Sequence, residues 1–154
     1  MKNFVTAKVT LVPAGRDDLP EILALLEQSK LPTDGLADHL DTALVGRAGD
    51  RLVACAAVEI HGTAGLLRSV AVDPARRGEG LGYRLTEAAL DLARARGVTS
   101  VYLLTTTAGD FFPRFGFTPI PRDEVAPALY SSAEWTTACP ASAQAMVKRL
   151  TPQQ

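Results

Sequence analysis

The sequence predicts a mixed α/β domain, with helices and strands interspersed in the α+β manner around one central sheet. Three observations carry that reading. Short apolar runs rich in β-branched residues alternate with segments of helical periodicity. Over residues 66 to 106 a strand, a glycine-rich corner, a helix and a second strand follow one another, which makes a βαβ unit with parallel strands. Turn signals at "GRAGDR" and "HGTAG" precede that unit, so the strands before it pair as hairpins.

The elements follow in order. "KVTLV", residues 8 to 12, ends at Pro13 and reads as the first strand. Asp17 or Asp18 can cap the helix that follows, in which Leu19, Ile22, Leu23 and Leu26 recur at helical spacing through residues 18 to 29. Pro32 and Gly35 break the pattern in "LPTDGLADHL", a loop leading into a short helix carrying Leu36, Leu40 and Leu44. Strands are expected at 44 to 48, 52 to 60 and 66 to 72. A helix with Leu81, Leu85, Ala88, Ala89 and Leu92 on its inner face then runs to Gly97, a residue suited to end it. "SVYLLTT", residues 100 to 106, is the next strand. "AGDFFPRFGFTPI" reads as a short helix closed by Gly116 and a strand at 117 to 120, and "QAMVKRL" supplies the last strand.

Length and composition bound the function. The 154 residues, 47% apolar and 21% charged, suit one domain over 1–154 with a sizeable core. A net charge of -1 offers no long-range attraction to polyanions, so nucleic acid is excluded as an expected partner. "MKNFVTAKVTLV" has no uninterrupted apolar stretch and no later run approaches bilayer length, which predicts a cytoplasmic protein with no membrane partner. Cys55 lies in an apolar run and Cys139 precedes a proline; they have neither metal spacing nor the density of a disulfide scaffold, and no metal is expected.

The chemistry concentrates in "DPARRGEGLGYRL", residues 73 to 85. Alternate glycines between a strand and a helix admit a ligand close to the backbone, where the N–H groups and dipole of the helix start favour an anion. No Lys-Ser/Thr pair follows, so the stretch is not a P-loop. Gly78, Gly80 and Gly82 give G-x-G-x-G rather than the G-x-G-x-x-G of dinucleotide folds, and the next strand ends in "LLTTT" without an acidic residue. Arg77, Gly80 and Gly82 do satisfy [QR]-x-x-G-x-[GA], the coenzyme A pyrophosphate loop.

With "LLRSVAVDPARRGEGLGYRL" and the later "DFFPRFGF", the chain resembles the GNAT superfamily of acetyl-CoA-dependent N-acetyltransferases from about residue 8 to residue 150. "CAAVEI", "SVAVDP" and "YLLTTTAGDFFPRFGFTPI" look like the acetyltransferase domain of bacterial N-acetylglutamate synthases. "LPTDGL" and "SSAEWTTACPASAQAM" are similar to small arsenic-resistance-associated acetyltransferases, a group proposed to acetylate arsinothricin and phosphinothricin. The resemblance implies a GNAT fold: a mixed sheet of six to seven strands splayed around the cofactor and flanked by about four helices, with GNAT domains often forming homodimers.

It also implies a division of labour. Val70, Ala71 and Val72 would contact the acetyl and pantetheine groups through their backbone, with an N–H near Val70 facing the oxyanion. Arg77, Gly78, Glu79, Gly80, Leu81, Gly82 and Tyr83 would cradle the pyrophosphate of acetyl-CoA, Arg77 or Arg76 adding charge. The amine must be neutral to attack, and Glu59 is the first candidate for its base, with His61 and Asp34 as others. His61 in its turn and His39 on a helix read otherwise as surface or packed residues. The family's usual thiolate-protonating tyrosine is replaced by Phe112, which leaves water, Thr105, Thr106 or Tyr130. Arg68 is the candidate for a substrate carboxylate, with Thr105, Thr106 and Thr107 as neutral donors and Thr33 and Asp34 near the amino group. Strand alternation alone does not say which face Arg68 takes.

The expected activity is therefore acetyl transfer, by direct attack, to the α-amino group of a small acidic amino acid or toxic analogue. The alternatives are acetylation of a protein amine or polyamine, and a non-catalytic acyl-CoA sensor.

Overall fold

The structure is a computed structural model that describes residues 8–106, 110–135 and 143–151. Its strands are β1 (Val9–Pro13), β2 (Ala43–Ala48), β3 (Arg51–His61), β4 (Ala64–Val72), β5 (Ser100–Thr105), β6 (Thr118–Ile120) and β7 (Gln144–Arg149). They form one sheet in the spatial order β1-β2-β3-β4-β5-β7-β6. β4 and β5 run parallel, as the crossover through a helix between them allows, and the other pairs are antiparallel.

β3 explains why so much of "LVACAAV" is apolar. Ala54, Ala56 and Val58 face one core and Cys55 and Ala57 face another, so both sides of the strand are covered. On the first side lies α2 (Leu81–Ala95), which buries Leu85, Ala89, Leu90 and Ala93 against Leu67, Val101 and Leu103. Its inner stripe follows the i, i+4 row through Leu81, Leu85, Ala89 and Ala93; Ala88 and Leu92, expected inside, are half-buried at its margin. On the other side α1 (Leu19–Gln28) buries Ile22, Leu25 and Leu26 against Val45, Cys55 and Ala71.

Gly97 ends α2 as expected. At φ +84° it lets Val98 N–H reach Ala93 O at 3.0 Å and its own N–H reach Arg94 O at 3.1 Å, which satisfies the last carbonyls. Gly116, at φ +95°, closes the Phe112–Phe115 turn in the same way. Leu36–Thr42 corrects the sequence reading. Instead of an α-helix it is a 3-10 stretch kinked at His39, because Thr42 Oγ1 donates to Val58 O and anchors the segment to β3. Leu44 belongs to β2.

What positions the site is the parting of β4 from β5. They pair at Ala64, Gly65 and Leu66 opposite Ser100, Val101 and Tyr102, and no farther. Beyond Leu66 a wedge opens between them.

The packing makes one stability prediction. Leu85→Ala, which empties a fully buried position between α2 and the sheet, should cost about 2–5 kcal/mol in urea unfolding; a loss below about 1 kcal/mol would place α2 outside the cooperative core.

Candidate active site

The wedge belongs to a cleft of about 920 Å³ that runs from the glycine corner, between β4 and β5, to the C-terminal end of α1. At one end Asp73 organises the corner: its Oδ1 accepts the Ala75 N–H at 2.9 Å, and its N–H donates to Val53 O at 2.7 Å. Gly78 and Gly80 have φ of +88° and +82°, where an L side chain is strained, and a Cβ on either would meet no protein atom within 4 Å. The glycines therefore serve backbone conformation and leave room for a guest. No side chain caps the start of α2 and no acidic residue stands in its first turn, so the positive helix end is left for an external anion.

Arg76, Arg77, Gly78, Gly80, Leu81, Gly82 and Tyr83 all line this end of the cleft. Glu79 does not. Its Oε1 lies 3.5 Å from Arg76 Nη1, which leaves Arg77 without an ion pair among the described residues.

In the wedge, Val70, Ala71 and Val72 form one wall, and Leu103, Leu104, Thr105, Thr106 and Phe112 the other. The β3–β4 register jumps from Cys55↔Ala71 to Ala57↔Arg68, so Ser69 and Val70 together oppose Ala56 in a β-bulge. Ser69 takes φ +60°, unusual for a residue with a Cβ, and this re-aims the backbone at Val70. Cys55 Sγ hydrogen-bonds Ser69 O at 3.2 Å from below; burial pushes its thiol up to about 12, despite a hydrogen bond from the Ala71 backbone. An un-ionised, enclosed thiol is no nucleophile.

At the α1 end the structure assembles charges that are far apart in sequence. Arg68 is buried, and its Nη1 donates to Glu59 Oε2 at 2.8 Å. Its Nε reaches Ser69 Oγ at 3.0 Å and Glu134 Oε2 at 3.1 Å. Glu59, 1% exposed, also meets His61 Nε2 at 2.8 Å and His39 Nε2 at 3.5 Å through Oε1. Burial pushes the Glu59 carboxyl up, but the hydrogen bonds from Arg68, His61 and Ser132, with the Coulombic pull of His39, outweigh it and hold the group below its ordinary value. Glu134, 4% exposed and lining the cleft, goes the other way. Burial is the largest influence; the attraction of Arg68 opposes it, the charges of Glu59 and Asp34 reinforce it, and the carboxyl is pushed up to about 7.

Several expectations change here. His61 is no surface residue: it is half-buried and bound to Glu59, with His39 beside it at a ring separation of 5.9 Å. Glu59 stands behind Arg68 rather than among the cleft-lining residues, and Thr33 is also absent from the lining, whereas Asp34 joins it. Arg68 faces the cleft, which the sequence left open, but its charge is already matched by two carboxylates. Tyr130 is exposed and packs on Trp135 at 5.6 Å, away from the cleft. Thr107 and Cys139 lie outside the described residues. His39, Glu59 and His61 hold their ligand atoms within 4.8 Å of one another, close enough for a divalent cation, yet hydrogen bonding alone accounts for the cluster.

Sequence reading missed Glu134 and Lys30. Glu134 sits in an unpatterned stretch, and only the fold brings it to Arg68. Lys30, just past α1 with φ +58°, lines the cleft without an acidic partner among the described residues. Its left-handed backbone was the one local signal, and it is invisible in a residue name.

Residues 39–119 match the family described as "Acetyltransferase (GNAT) domain". The chain belongs to the GNAT acetyltransferase family. An amino-acid acetyltransferase of Neisseria meningitidis is 30% identical over 128 residues, covering 77% of this chain and 29% of the relative. An amino-acid acetyltransferase of Mycobacterium tuberculosis is 37% identical over 86 residues, covering 55% and 45%. The chain thus spans less than half the length of these curated relatives. Among solved structures, the N-acetylglutamate synthase of Neisseria gonorrhoeae, complexed with coenzyme A and N-acetyl-glutamate, superposes with a TM-score of 0.79 at 25% identity over 94% of this chain and 36% of that one. A Mycobacterium tuberculosis protein in complex with CoA gives 0.78 at 25% identity over 92% and 99%. The GNAT fold expected from the sequence is present, with its seven-stranded mixed sheet. Among the described residues no helix is long and apolar enough to cross a membrane.

The two glutamates should give opposite pH signatures. Glu59, held low, contributes stability that is present above its ordinary range and lost as pH falls through the folded value. Glu59→Gln, which breaks a buried pair, should cost about 3 kcal/mol at pH 7 and less as the pH falls below the ordinary carboxyl range. Glu134, held high, makes stability fall as pH rises from the ordinary carboxyl range through about 7, so Glu134→Gln should flatten that slope. Urea unfolding across pH 3 to 8 measures both; parallel curves for wild type and variants would contradict the assignment.

Proposed function

We propose that the protein transfers the acetyl group of acetyl-CoA to the α-amino group of a small acidic amino acid or a toxic analogue of the arsinothricin or phosphinothricin kind. The observation that carries this reading is the single cleft that joins an anion-ready glycine corner to a charged pocket through an unpaired strand edge. The corner suits a pyrophosphate. The edge of β4 beyond Leu66 suits an amide-bearing arm that pairs as an added strand. The Val70 N–H, turned by the bulge, suits the oxyanion of a tetrahedral intermediate.

The amino-acid acetyltransferase relatives favour an amino acid as acceptor. "LPTDGL" and "SSAEW" motivate the toxic analogue and a part in arsenic resistance. Lys30 supplies the cation for the acceptor's carboxylate, a task first expected of Arg68, and Thr105 and Thr106 add neutral donors across the wedge. Attack is direct, since Cys55 is inert. Phe112 offers the departing thiolate no proton, but a thiol of pKa near ~8.5 leaves readily with solvent as acid.

A second reading has one observation of its own. Asp34 and Glu134 make the pocket partly acidic, which would also receive a polyamine.

Release of the CoA thiol over a panel of glutamate, phosphinothricin, arsinothricin, neutral amino acids and spermidine decides between them. Acidic α-amino acids should lead, and Lys30→Met should raise their KM about 10- to 100-fold, the worth of about 1.5–3 kcal/mol for a charged hydrogen bond, with kcat little changed. Turnover of spermidine alone would overturn the substrate assignment, and tight CoA binding without any acetylation would make the domain a sensor.

A further inference from the structure

We propose that Glu134 is the proton acceptor for the acceptor amine, with Arg68 and Glu59 as positioning residues that aim and charge its carboxylate. The inference rests on the acetyl-transfer reading above and names a residue for a step that this reading needs.

The argument starts from what surrounds each carboxylate. Glu59 has both oxygens committed, Oε2 to Arg68 Nη1 at 2.8 Å and Oε1 to His61 Nε2 at 2.8 Å, and it stands behind Arg68. A carboxylate so engaged binds a proton poorly and cannot touch the acceptor. Glu134 lines the cleft itself, as Arg68, Ser69 and Asp34 do, and it contacts Arg68, the residue before the Ser69–Val70 bulge that would face the reacting carbonyl. One guanidinium edge holds its Oε2 at 3.1 Å, which fixes the carboxylate without cancelling its basicity. The remaining charges around it are Asp34 from the loop after α1, Glu59 from β3, and through Glu59 the pair His39 and His61.

This arrangement is a relay of position, not of protons. The histidines and Ser132 hold Glu59, Glu59 holds Arg68, and Arg68 holds Glu134. Ser132 also tethers Glu134 directly, its Oγ accepting the Glu134 N–H at 3.1 Å. With Glu59 and Arg68 neutralising each other, Glu134 and Asp34 leave an excess negative charge that draws an ammonium to the spot where it must lose a proton.

The step balances as follows. One N–H bond of the ammonium breaks and its proton passes to Glu134. The freed lone pair forms the C–N bond to the thioester carbonyl, and collapse of the tetrahedral intermediate breaks the C–S bond. The second proton shed by nitrogen passes to solvent, from which the thiolate takes one; the third stays on the amide, and Glu134 returns its proton to solvent. A carboxyl pushed up to about 7 is an efficient base for this near neutrality, because a sizeable fraction is ionised and the ionised form takes up a proton readily.

The test compares wild type, Glu134→Gln and Glu134→Asp with two acceptors: the amino acid, and an analogue carrying an aminooxy group in place of the α-amino group, which arrives deprotonated. For the amino acid, wild-type kcat should fall below an inflection near pH 7, and Glu134→Gln should lose about 100-fold or more with that limb gone. The aminooxy acceptor should show neither the limb nor a loss above a few-fold. Thermal melts and CoA binding verify that the variants are folded. Should Glu134→Gln fail to fold, the wild-type contrast between acceptors and a displaced limb in Glu134→Asp still decide the matter. Equal losses with both acceptors, or an unchanged acidic limb in a folded variant, would overturn the role of Glu134. Absence of acetylation in the wild type would instead overturn the functional reading on which it rests.

Discussion

Everything about the site follows from β4 having a partner on one side only after Leu66. Backbone N–H and C=O groups seek partners, and a strand edge held open inside a domain is costly to leave unmatched. Here it is held open because β5 turns toward β7, with which it pairs along its whole length, while β4 stays with β3. The edge that results, in the middle of the sheet, is where an extended, amide-bearing molecule would find unmatched backbone groups.

The second constraint is electrostatic. A buried guanidinium is tolerable only when its charge and its donors are matched. Arg68 is matched by Glu59, Glu134, Ser69 and, more weakly at 3.4 Å, by Pro32 O. These partners come from β3, β4, the loop after α1 and the segment after Tyr130, so one side chain ties four parts of the chain together at the α1 end of the cleft. Its worth lies in orientation, since an ion pair taken out of water gains little net stability.

How far the sequence speaks for itself depends on how local each feature is. The βαβ unit, the glycine corner and Gly97 were legible because each is a local pattern with a local cause: strand period, positive φ, helix end. β3 was readable as a strand from its apolar run after a turn, whereas its coverage on both faces depends on α1 and α2, which only the fold places there. The Leu36–Thr42 segment was not, because a contact with Val58 O decides its conformation. His61 was misread for the same reason: a histidine before a glycine has the form of a surface turn, and only the β3–β4 hairpin shows that Glu59 lies under it. Glu134 had no pattern at all. Its chemistry comes from Arg68, 66 residues earlier, and from burial that no periodicity announces.

Cys55 illustrates a different demand on such a fold. A domain that holds a reactive thioester, as proposed for this one, must also be protected from it. Its one described thiol lies directly beneath the bulge, one hydrogen bond from the backbone that would bind the acyl group, yet it is sealed among apolar side chains and kept protonated. Self-acylation and oxidation both require a thiolate that this position does not supply. The sulfur acts there as packing volume, and Cys55 would offer the proposed turnover cycle no covalent dead end.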